Sequence, residues 1–400
     1  MVESKFPRAS TFGTWPIDRI RPDDDALARA AGLIADARHP VVLAGGGALS
    51  SGSPQKLARL QAAAHLPVFT TNMGKGAVDE RHALSAGVLG ALNGPRSLGR
   101  HTQPVLSDAD VVVLVGTRTN QNGTDSWRAI PKGARVIHID IDPTEVGRNY
   151  DSLRLIGDAA TTLACLSAHL EKRDLSRRAG ARAALEARIA AAWTSFENDR
   201  RPLVTRGSGP IRPERVMGEL QKLLTPQTTV VADASYSTLW VTGHLKSLAP
   251  GMRFLTPRGL AGLGWGLPMA IGAKLASPEH PVVTVVGDGG FAHAWAELET
   301  IVRSDVAVTI IVLNNGVLGY QKDAETVKFG AYTTACHFAP VDHAALARSC
   351  GCASVRIERS SELQTALAEA MTSTKPMLID VMTDPDAHPP ISLYDGTLDR

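Results

Sequence analysis

Residues 282–316 read VVTVVGDGGFAHAWAELETIVRSDVAVTIIVLNNG, and their pattern establishes the architecture of the C-terminal half of the chain. An apolar run ends in Gly287-Asp288-Gly289, 24 residues follow (290–313), and a second apolar run ends in Asn314-Asn315. The intervening segment has apolar residues at helical spacing: Phe291, Trp295, Leu298 and Ile301. The pattern predicts a strand–helix–strand unit, and the right-handed crossover of such units makes its two strands parallel.

Polar residues follow both strands of this unit. The carboxyl ends of parallel strands share one edge of the sheet, where open α/β sheets bind ligands, so we expect Asp288 and Asn315 to lie close together. A carboxylate and an amide oxygen suit Mg²⁺, which takes its remaining ligands from water and phosphate. Gly289 and Gly290 let the backbone approach a phosphate. The residues themselves therefore predict a diphosphate–Mg²⁺ site; two strands that end in turn residues by chance are the alternative.

The same alternation of apolar runs and helical patterns extends outward from this unit. It predicts an α/β protein with two doubly wound parallel-sheet domains joined by a helical linker. We place the first domain at 26–170, the Ala- and Arg-rich linker at 171–205 and the second domain at 206–385. Residues 1–25 are predicted to form an N-terminal arm, and 386–400 an extended C-terminal tail.

Composition excludes several classes of function. The 400 residues include 42 Lys and Arg against 40 Asp and Glu without a block of like charges, so neither nucleic acid nor a membrane surface is an expected partner. No apolar run reaches the length of a membrane span, and the N-terminus lacks the apolar core of a secretory signal. Four cysteines are too few for a disulfide framework. We expect a cytoplasmic protein with reduced thiols.

GDG followed at this spacing by NN resembles the thiamine-diphosphate motif of the superfamily of acetolactate synthase, pyruvate decarboxylase and benzoylformate decarboxylase. PRGLAGLGWGLPMAIGAK at 257–274 is similar to the family segment that grips the aminopyrimidine ring of the cofactor. PVVLAGGG, ADVVVLVGTR and RVIHIDIDPTEVGRN are similar to strands of the family's middle domain. The resemblance covers nearly the whole chain. It implies an enzyme that uses thiamine diphosphate and Mg²⁺ to make or break a C–C bond next to a carbonyl.

The resemblance also implies roles for individual residues. Asp288, the Asn315 side chain and the Val317 carbonyl would bind Mg²⁺. Leu263 would hold the cofactor bent, so that its own amine lies against the carbon to be deprotonated, while the Ala261 carbonyl and the Leu263 N–H bond the pyrimidine edge. Tyr320 lies, with Leu318, where the substrate pocket of relatives begins. The other implied cofactor-binding residues are Ser235, Tyr236, Ser237, Gly287, Gly289, Gly290, Phe291, Leu318 and Gly319.

One part of the family's pattern has no counterpart in this sequence. Relatives have a pyrimidine-binding domain before the middle domain, and its glutamate protonates the pyrimidine ring. Only about 25 residues precede the first predicted helix, and no glutamate matches that role. The resemblance therefore implies half of an active site, completed by a separate pyrimidine-domain subunit, most simply in a heterotetramer. The alternative is a fragment of a longer chain.

Glycines and polar residues also follow three predicted strands of the middle domain, in Gly45-Gly46-Gly47, Gly116-Thr117-Arg118 and Asp140-Ile141-Asp142. In relatives this edge binds FAD or an ADP moiety. However, AGGGALSSGS lacks the G-x-G-x-x-G spacing of a dinucleotide fingerprint. A flavoprotein-like middle domain with bound nucleotide and an empty crevice are both consistent with the sequence, and a nicotinamide-dependent dehydrogenase is disfavoured.

The overall likeness is greatest to acetolactate synthase large subunits, which implies carboligation of a 2-oxoacid. The stretch Gly316-Val317-Leu318-Gly319-Tyr320 differs from theirs, and Leu263 replaces their usual methionine. A 2-oxoacid decarboxylase or a 2-hydroxyacyl-CoA lyase subunit, acting on an acyloin or acyl-CoA, is therefore an alternative. A non-catalytic regulatory subunit is a third hypothesis, and the retention of Asp288 and Asn315 disfavours it.

Overall fold

The computed structural model describes residues 18–50, 52–394 and 398, and most of the predicted N-terminal arm lies outside them. The first domain is a six-stranded sheet in the order β3-β2-β1-β4-β5-β6, and all its pairings are parallel. Its strands are β1 (Pro40–Ala44), β2 (Val68–Thr70), β3 (Ser85–Val88), β4 (Val111–Val115), β5 (Arg135–Asp140) and β6 (Ser152–Ile156). Its helices are α1 (Asp24–Asp36), α2 (Ser53–Ala63), α3 (Leu98–Ser107) and α4 (Ala159–Leu170).

The second domain is another six-stranded parallel sheet, in the order β11-β12-β10-β9-β7-β8. Its strands are β7 (Thr229–Ala232), β8 (Phe254–Leu255), β9 (Val282–Gly287), β10 (Thr309–Asn314), β11 (Ala353–Ile357) and β12 (Met377–Met382). The helices around it are α6 (Pro213–Gln221), α7 (Tyr236–His244), α8 (Gly266–Ala276), α9 (Asp288–Ala292), α10 (Glu297–Arg303), α11 (Gly319–Phe329), α12 (His343–Ser349) and α13 (Leu363–Thr372).

Alternate residues of the central strands face two different apolar cores. Val283 and Ile311 belong to the core on one face of the second sheet, whereas Val282 and Ile310 belong to the core on the other face. Because both faces are buried, these strands are continuous apolar runs rather than alternating ones. The predicted fold class, two doubly wound parallel-sheet domains, is confirmed.

The predicted strand–helix–strand unit forms, but its helix is interrupted. β9 and β10 pair in parallel, with Leu313 opposite Gly287. The chain between α9 and α10 is tightened by backbone bonds spanning three residues, such as Ala294 N–H to the Phe291 carbonyl. Trp295 packs against the same apolar core as Phe291, Leu298 and Ile301 but stays half-buried, whereas Leu298 is fully buried.

Two further segments connect the domains. Helix α5 (Ser176–Thr205) donates from the Trp193 indole to the Ser85 carbonyl (2.9 Å) and from Arg200 to the His244 carbonyl (3.1 Å). The residues after β12 run back across the first domain, and Tyr394 is fully buried. No helix in the described part of the chain combines the length and apolar character needed to cross a bilayer.

Candidate active site

The carboxyl ends of β7, β9 and β10 surround a solvent-open cleft of about 530 Å³. Most of the predicted site residues line it: Ser235, Tyr236, Ser237, Leu263, Gly287, Asp288, Gly289, Gly290, Asn315, Val317, Leu318 and Gly319. The structure therefore brings together segments that are far apart in the sequence. Three predicted residues, Ala261, Phe291 and Tyr320, do not line the cleft.

Asp288 is the buried charge of this cleft. Its two carboxylate oxygens accept the N–H groups of Gly289 (2.9 Å) and Gly316 (2.7 Å). Burial outweighs these bonds and raises the pKa of Asp288 to about 6. A carboxylate in this position favours a nearby cation, since a cation would offset the desolvation of the ionised form.

The two adjacent asparagines have different surroundings. Asn315 lines the cleft, and its side-chain oxygen accepts the N–H of Val317 at 3.1 Å. The side chain of Asn314 instead donates to Asp380 (2.9 Å) and to the Val341 carbonyl (3.1 Å), which ties β10 to its surroundings. Only Asn315 is therefore placed to contact a ligand beside Asp288.

Close contacts explain the two glycines after Asp288. A Cβ atom on Gly290 would lie 2.2 Å from a carboxylate oxygen of Asp233, and one on Gly289 would lie 2.8 Å from Leu318. Neither position has room for a side chain. The backbone itself forms this wall of the cleft, so a ligand there would contact main-chain atoms.

Sequence reasoning missed Asp233, which follows β7 and is completely buried. Its carboxylate accepts the N–H groups of Gly264 (3.0 Å), Trp265 (3.1 Å) and Ala234 (2.9 Å). These bonds anchor the loop that precedes α8 and presents Leu263 to the cleft. The signal that could have identified Asp233 is an acidic residue at the carboxyl end of a buried parallel strand.

The backbone around the cleft contains unfavourable conformations. Ala261 has φ +56° in the loop before Leu263, and Ser235 has φ +66° at the start of α7. Arg258 donates to the Ser235 carbonyl at 3.2 Å and links the two segments. Non-glycine residues in this region cost about 1–3 kcal/mol each, and such strain is concentrated at functional sites.

Tyr236 lines the cleft and is in contact with aromatic residues that lie behind or beside it. The Tyr236 hydroxyl donates to Asp323 (2.5 Å) and contacts the Tyr394 hydroxyl (3.2 Å). Tyr320 stands edge-on to Tyr236, with ring centroids 5.8 Å apart, and remains 41% exposed. The side chain of Phe291 is buried in the core beneath the cleft, so only its backbone could contact a diphosphate.

Metal binding here would need ligands from outside the protein. In the described residues no group of three or more His, Cys, Asp or Glu side chains could hold a metal ion. Asp288 and Asn315 bring side-chain oxygens to the cleft that Val317 also lines, and Mg²⁺ prefers oxygen donors of this kind together with phosphate. The donor set therefore fits a Mg²⁺–diphosphate complex better than a bare ion.

A second cleft of about 1430 Å³, part of it open to solvent, lies between the two domains. It opens at the carboxyl ends of β1 and β4, the point at which the strand order of the first sheet reverses. Gly45 and Gly116 are in close contact, since a Cβ on Gly45 would lie 2.3 Å from the Gly116 carbonyl oxygen. Three arginines and no described carboxylate line the cleft: Arg118, Arg253 and Arg258.

Comparison with known protein families agrees with this geometry. The thiamine pyrophosphate enzyme central domain matches residues 27–166, and the C-terminal TPP binding domain of the same enzymes matches residues 233–381. The chain belongs to the thiamine-pyrophosphate-dependent enzymes and carries these two domains. The resemblance seen in the sequence is therefore confirmed.

Similar curated proteins carry acetolactate synthase names. A "Probable acetolactate synthase large subunit" of Methanococcus aeolicus is 32% identical over 376 residues, which is 90% of this chain and 61% of that protein. Its namesake in Methanocaldococcus jannaschii is 33% identical over 371 residues (90% and 60%). An acetolactate synthase large subunit of Parasynechococcus marenigrum is 32% identical over 367 residues (90% and 56%). The chain thus spans about three-fifths of the length of these relatives.

Proposed function

We propose that this chain supplies the diphosphate- and Mg²⁺-binding half of an active site that joins a 2-oxoacid to an acceptor, as acetolactate synthases do. The observation that carries the proposal is the buried Asp288 carboxylate, which lies in a cleft beside Asn315 and, among the described residues, accepts hydrogen bonds from backbone N–H groups alone. The names of the relatives support the type of reaction.

In this proposal Asp288, Asn315 and the Val317 carbonyl hold Mg²⁺. Thiamine diphosphate, when bound, supplies the carbon nucleophile that adds to the carbonyl of the 2-oxoacid. The Leu263 side chain, which lines the cleft, would support the cofactor, and the N–H of Leu263 and the carbonyl of Ala261, in the loop beside the cleft, would hold its pyrimidine edge. The strained loop is held by Asp233, which keeps these groups in place before the ligand arrives.

The proposal includes a second polypeptide that brings a pyrimidine-binding domain, most simply in a heterotetramer. Apolar side chains beside the cleft are exposed, among them Leu260 (102%), Trp265 (53%) and Leu263 (38%). An exposed apolar patch next to a ligand cleft is typical of a partner surface. A further part of a longer chain would cover the same surface equally well. We expect the assembled enzyme to act in the cytoplasm.

Two other functions are consistent with the family. A 2-oxoacid decarboxylase subunit is supported by Tyr320, whose ring packs edge-on against the cleft-lining Tyr236 and would restrict a bulky acceptor. A 2-hydroxyacyl-CoA lyase subunit is the other alternative that the family offers. A non-catalytic regulatory subunit would not need the buried carboxylate of Asp288. The test among them is product analysis with pyruvate, with and without an added acceptor aldehyde.

The binding half of the proposal is tested by calorimetry with thiamine diphosphate and Mg²⁺. We expect Asp288→Ala to abolish binding and Asp305→Ala, at an exposed ion pair with Lys375, to leave it unchanged. Equal affinity in Asp288→Ala would contradict the site assignment.

The need for a second polypeptide is tested by NMR of proton exchange at C2 of the cofactor. Exchange as fast with this chain alone as in complete enzymes would contradict the need for an outside glutamate.

We also propose that the second cleft binds the phosphates of FAD or of an ADP moiety. Its arginines match the charge of a diphosphate, and it lies at the reversal point of the first sheet. A flavin spectrum of the purified protein, or calorimetric binding of ADP that Arg118→Met weakens, would support it. Absence of both would favour the alternative of an empty crevice.

A further inference from the structure

A third cleft lies at the opposite edge of the first sheet, where β1 and β2 begin, and α5 covers it. It measures about 740 Å³, part of it open to solvent. Its polar lining residues are all basic or imidazole groups: Arg38, His39, His65, Arg178 and Arg188. No described carboxylate lines it. We call it the cationic cleft. The candidate active site and the interdomain cleft both lie at carboxyl ends of strands, so the cationic cleft is separate from them.

Arg178 is the unusual residue of the cationic cleft. The residue is only 5% exposed, and its Nη1 donates to the Ile34 carbonyl at the end of α1. Its Nε and Nη2 atoms are buried and have no hydrogen-bond partner within residues 18–50, 52–394 and 398. The neighbouring Arg177 differs, since its Nη2 reaches the carbonyls of Asp36 (2.7 Å) and Ala37 (2.9 Å). Buried charged donors without partners are rare and costly, and they call for an explanation.

The nearby carboxylates do not neutralise Arg178. Asp108 pairs with Arg188 at 2.7 Å, and Glu186 pairs with Arg182 at 2.6 Å. Asp110 accepts the backbone N–H groups of residues 38 and 39, at 2.7 and 2.9 Å. Burial lowers the pKa of Arg178 to about 10, in keeping with a guanidinium that lacks a counter-charge. An anion from outside the chain would supply both the charge and the missing acceptors.

The floor of the cationic cleft indicates what the anion is attached to. It consists of aliphatic and proline side chains: Pro40, Val41, Pro67, Val105 and Leu185. A bare inorganic ion would use the guanidinium but leave this surface wet. We propose that the cationic cleft binds a small organic anion, with its carboxylate or phosphate on Arg178 and its aliphatic body on the apolar floor. Because the cleft lies between α5 and the first sheet, the ligand would also hold the linker helix on that domain. The proposal does not depend on the proposed enzymatic function.

Isovalerate is a suitable probe, since it has one carboxylate and a branched aliphatic body. Isovaleramide has nearly the same shape without the charge, and inorganic phosphate has the charge without the body. We expect calorimetry and thermal unfolding of the full chain to show binding of isovalerate at least tenfold tighter than that of isovaleramide. Tighter binding of phosphate than of isovalerate would show that the apolar floor adds nothing and would overturn the organic part of the proposal. No binding of either anion, or equal binding of the amide, would overturn the proposal.

Arg178→Met should weaken anion binding at least tenfold, because it removes the two unpaired donors. Arg173→Met is the matched control: Arg173 donates to the Ala28 carbonyl (3.3 Å) outside the cationic cleft, and we expect no change in affinity. If Arg178→Met does not fold, Ala181→Phe provides a second test. Ala181 is an exposed residue of α5 that lines the cleft, so a phenyl ring there should fill it and abolish binding. Unchanged affinity in either folded variant would overturn the proposal.

Discussion

Replacing Asp288 with asparagine separates two effects of the buried carboxylate: the stability that its charge costs the folded protein, and its proposed role in binding Mg²⁺. Burial raises the pKa of Asp288 from 3.8 to about 6. A rise of this size corresponds to roughly 3 kcal/mol of lost stability when the group is ionised in the folded protein. The cofactor-free protein should therefore be less stable at high pH because of this residue. Asp288→Asn removes the charge and keeps the shape.

The sign of the pH dependence follows from the two pKa values. Between about pH 4 and pH 6 the folded protein holds a proton on Asp288 that the unfolded chain has already lost, so stability falls as the pH rises through this window. Above about pH 6 both states are ionised and the full penalty is present. Between about pH 5 and pH 8 the free energy of unfolding of the wild type should fall by roughly 1.4 kcal/mol through this residue, and that of Asp288→Asn should not.

Urea unfolding without cofactor, at about pH 5 and pH 8, measures this difference. Asparagine must also face the N–H groups of Gly289 and Gly316, but that cost does not change with pH. The comparison between the two pH values therefore isolates the charge. Asp305→Asn, at an exposed ion pair, should show no such change. If the difference in stability between wild type and Asp288→Asn is the same at both pH values, the pKa of Asp288 is not raised by burial.

Cofactor addition should remove most of the difference in stability between the wild type and Asp288→Asn. Mg²⁺ and thiamine diphosphate at about 100 times the dissociation constant would stabilise the wild type by about 2.7 kcal/mol, and the same addition should leave the variant unchanged. If Asp288→Asn is more stable than the wild type without the cofactor and is not stabilised by it, the carboxylate serves binding rather than folding. Equal stabilisation of both proteins would show that the cation binds elsewhere.

Three other substitutions test the surroundings of the cleft. Leu263→Ala should lower kcat of the assembled enzyme with little change in cofactor affinity, and should cost about 1 kcal/mol of stability, below the usual range for buried leucines because the residue is 38% exposed; an unchanged kcat would rule out the supporting role. Asp233→Asn should destabilise the protein by about 1–3 kcal/mol and speed hydrogen exchange of the amides that it holds, since one N–H loses its acceptor; unchanged exchange would contradict the anchoring role. Gly290→Ala should cost about 1–3 kcal/mol by overpacking against the Asp233 carboxylate, whereas Gly272→Ala, which meets no atom within 4 Å, should be neutral or slightly stabilising. Equal effects of the two alanines in urea unfolding would contradict the close contact.

The sequence predicted the features that depend on the spacing of apolar residues and on the order of strands and helices along the chain. Continuous apolar runs identified β9 and β10 as strands buried on both faces, and the single crossover between them made them parallel. Parallel pairing alone then placed Asp288 and Asn315 at one cleft. No detailed contact was needed for this step, because it follows from topology.

Other features depend on contacts between distant segments, which no local pattern reveals. The bond from Gly264 to Asp233 joins residues 31 positions apart, and Asp233 looks like an ordinary turn residue in TTVVADAS. The interruption between α9 and α10 leaves the helical spacing of the apolar residues nearly intact, so periodicity predicted one helix. The unpaired donors of Arg178 arise only where α5 lies over the first sheet.

The buried carboxylate of Asp233 contacts two parts of the candidate cleft, the loop that carries Leu263 and the glycine segment after Asp288. It accepts N–H groups from the loop behind Leu263, and it lies so close to Gly290 that no side chain fits between them. A Cβ on Gly290 would also lie 3.6 Å from Leu263. The wall proposed for the diphosphate and the support proposed for the ring system are thus fixed against one another through a single side chain. Because the distance between them is set by the folded protein, ligand binding need not order the loop, and the binding energy is available to orient the cofactor.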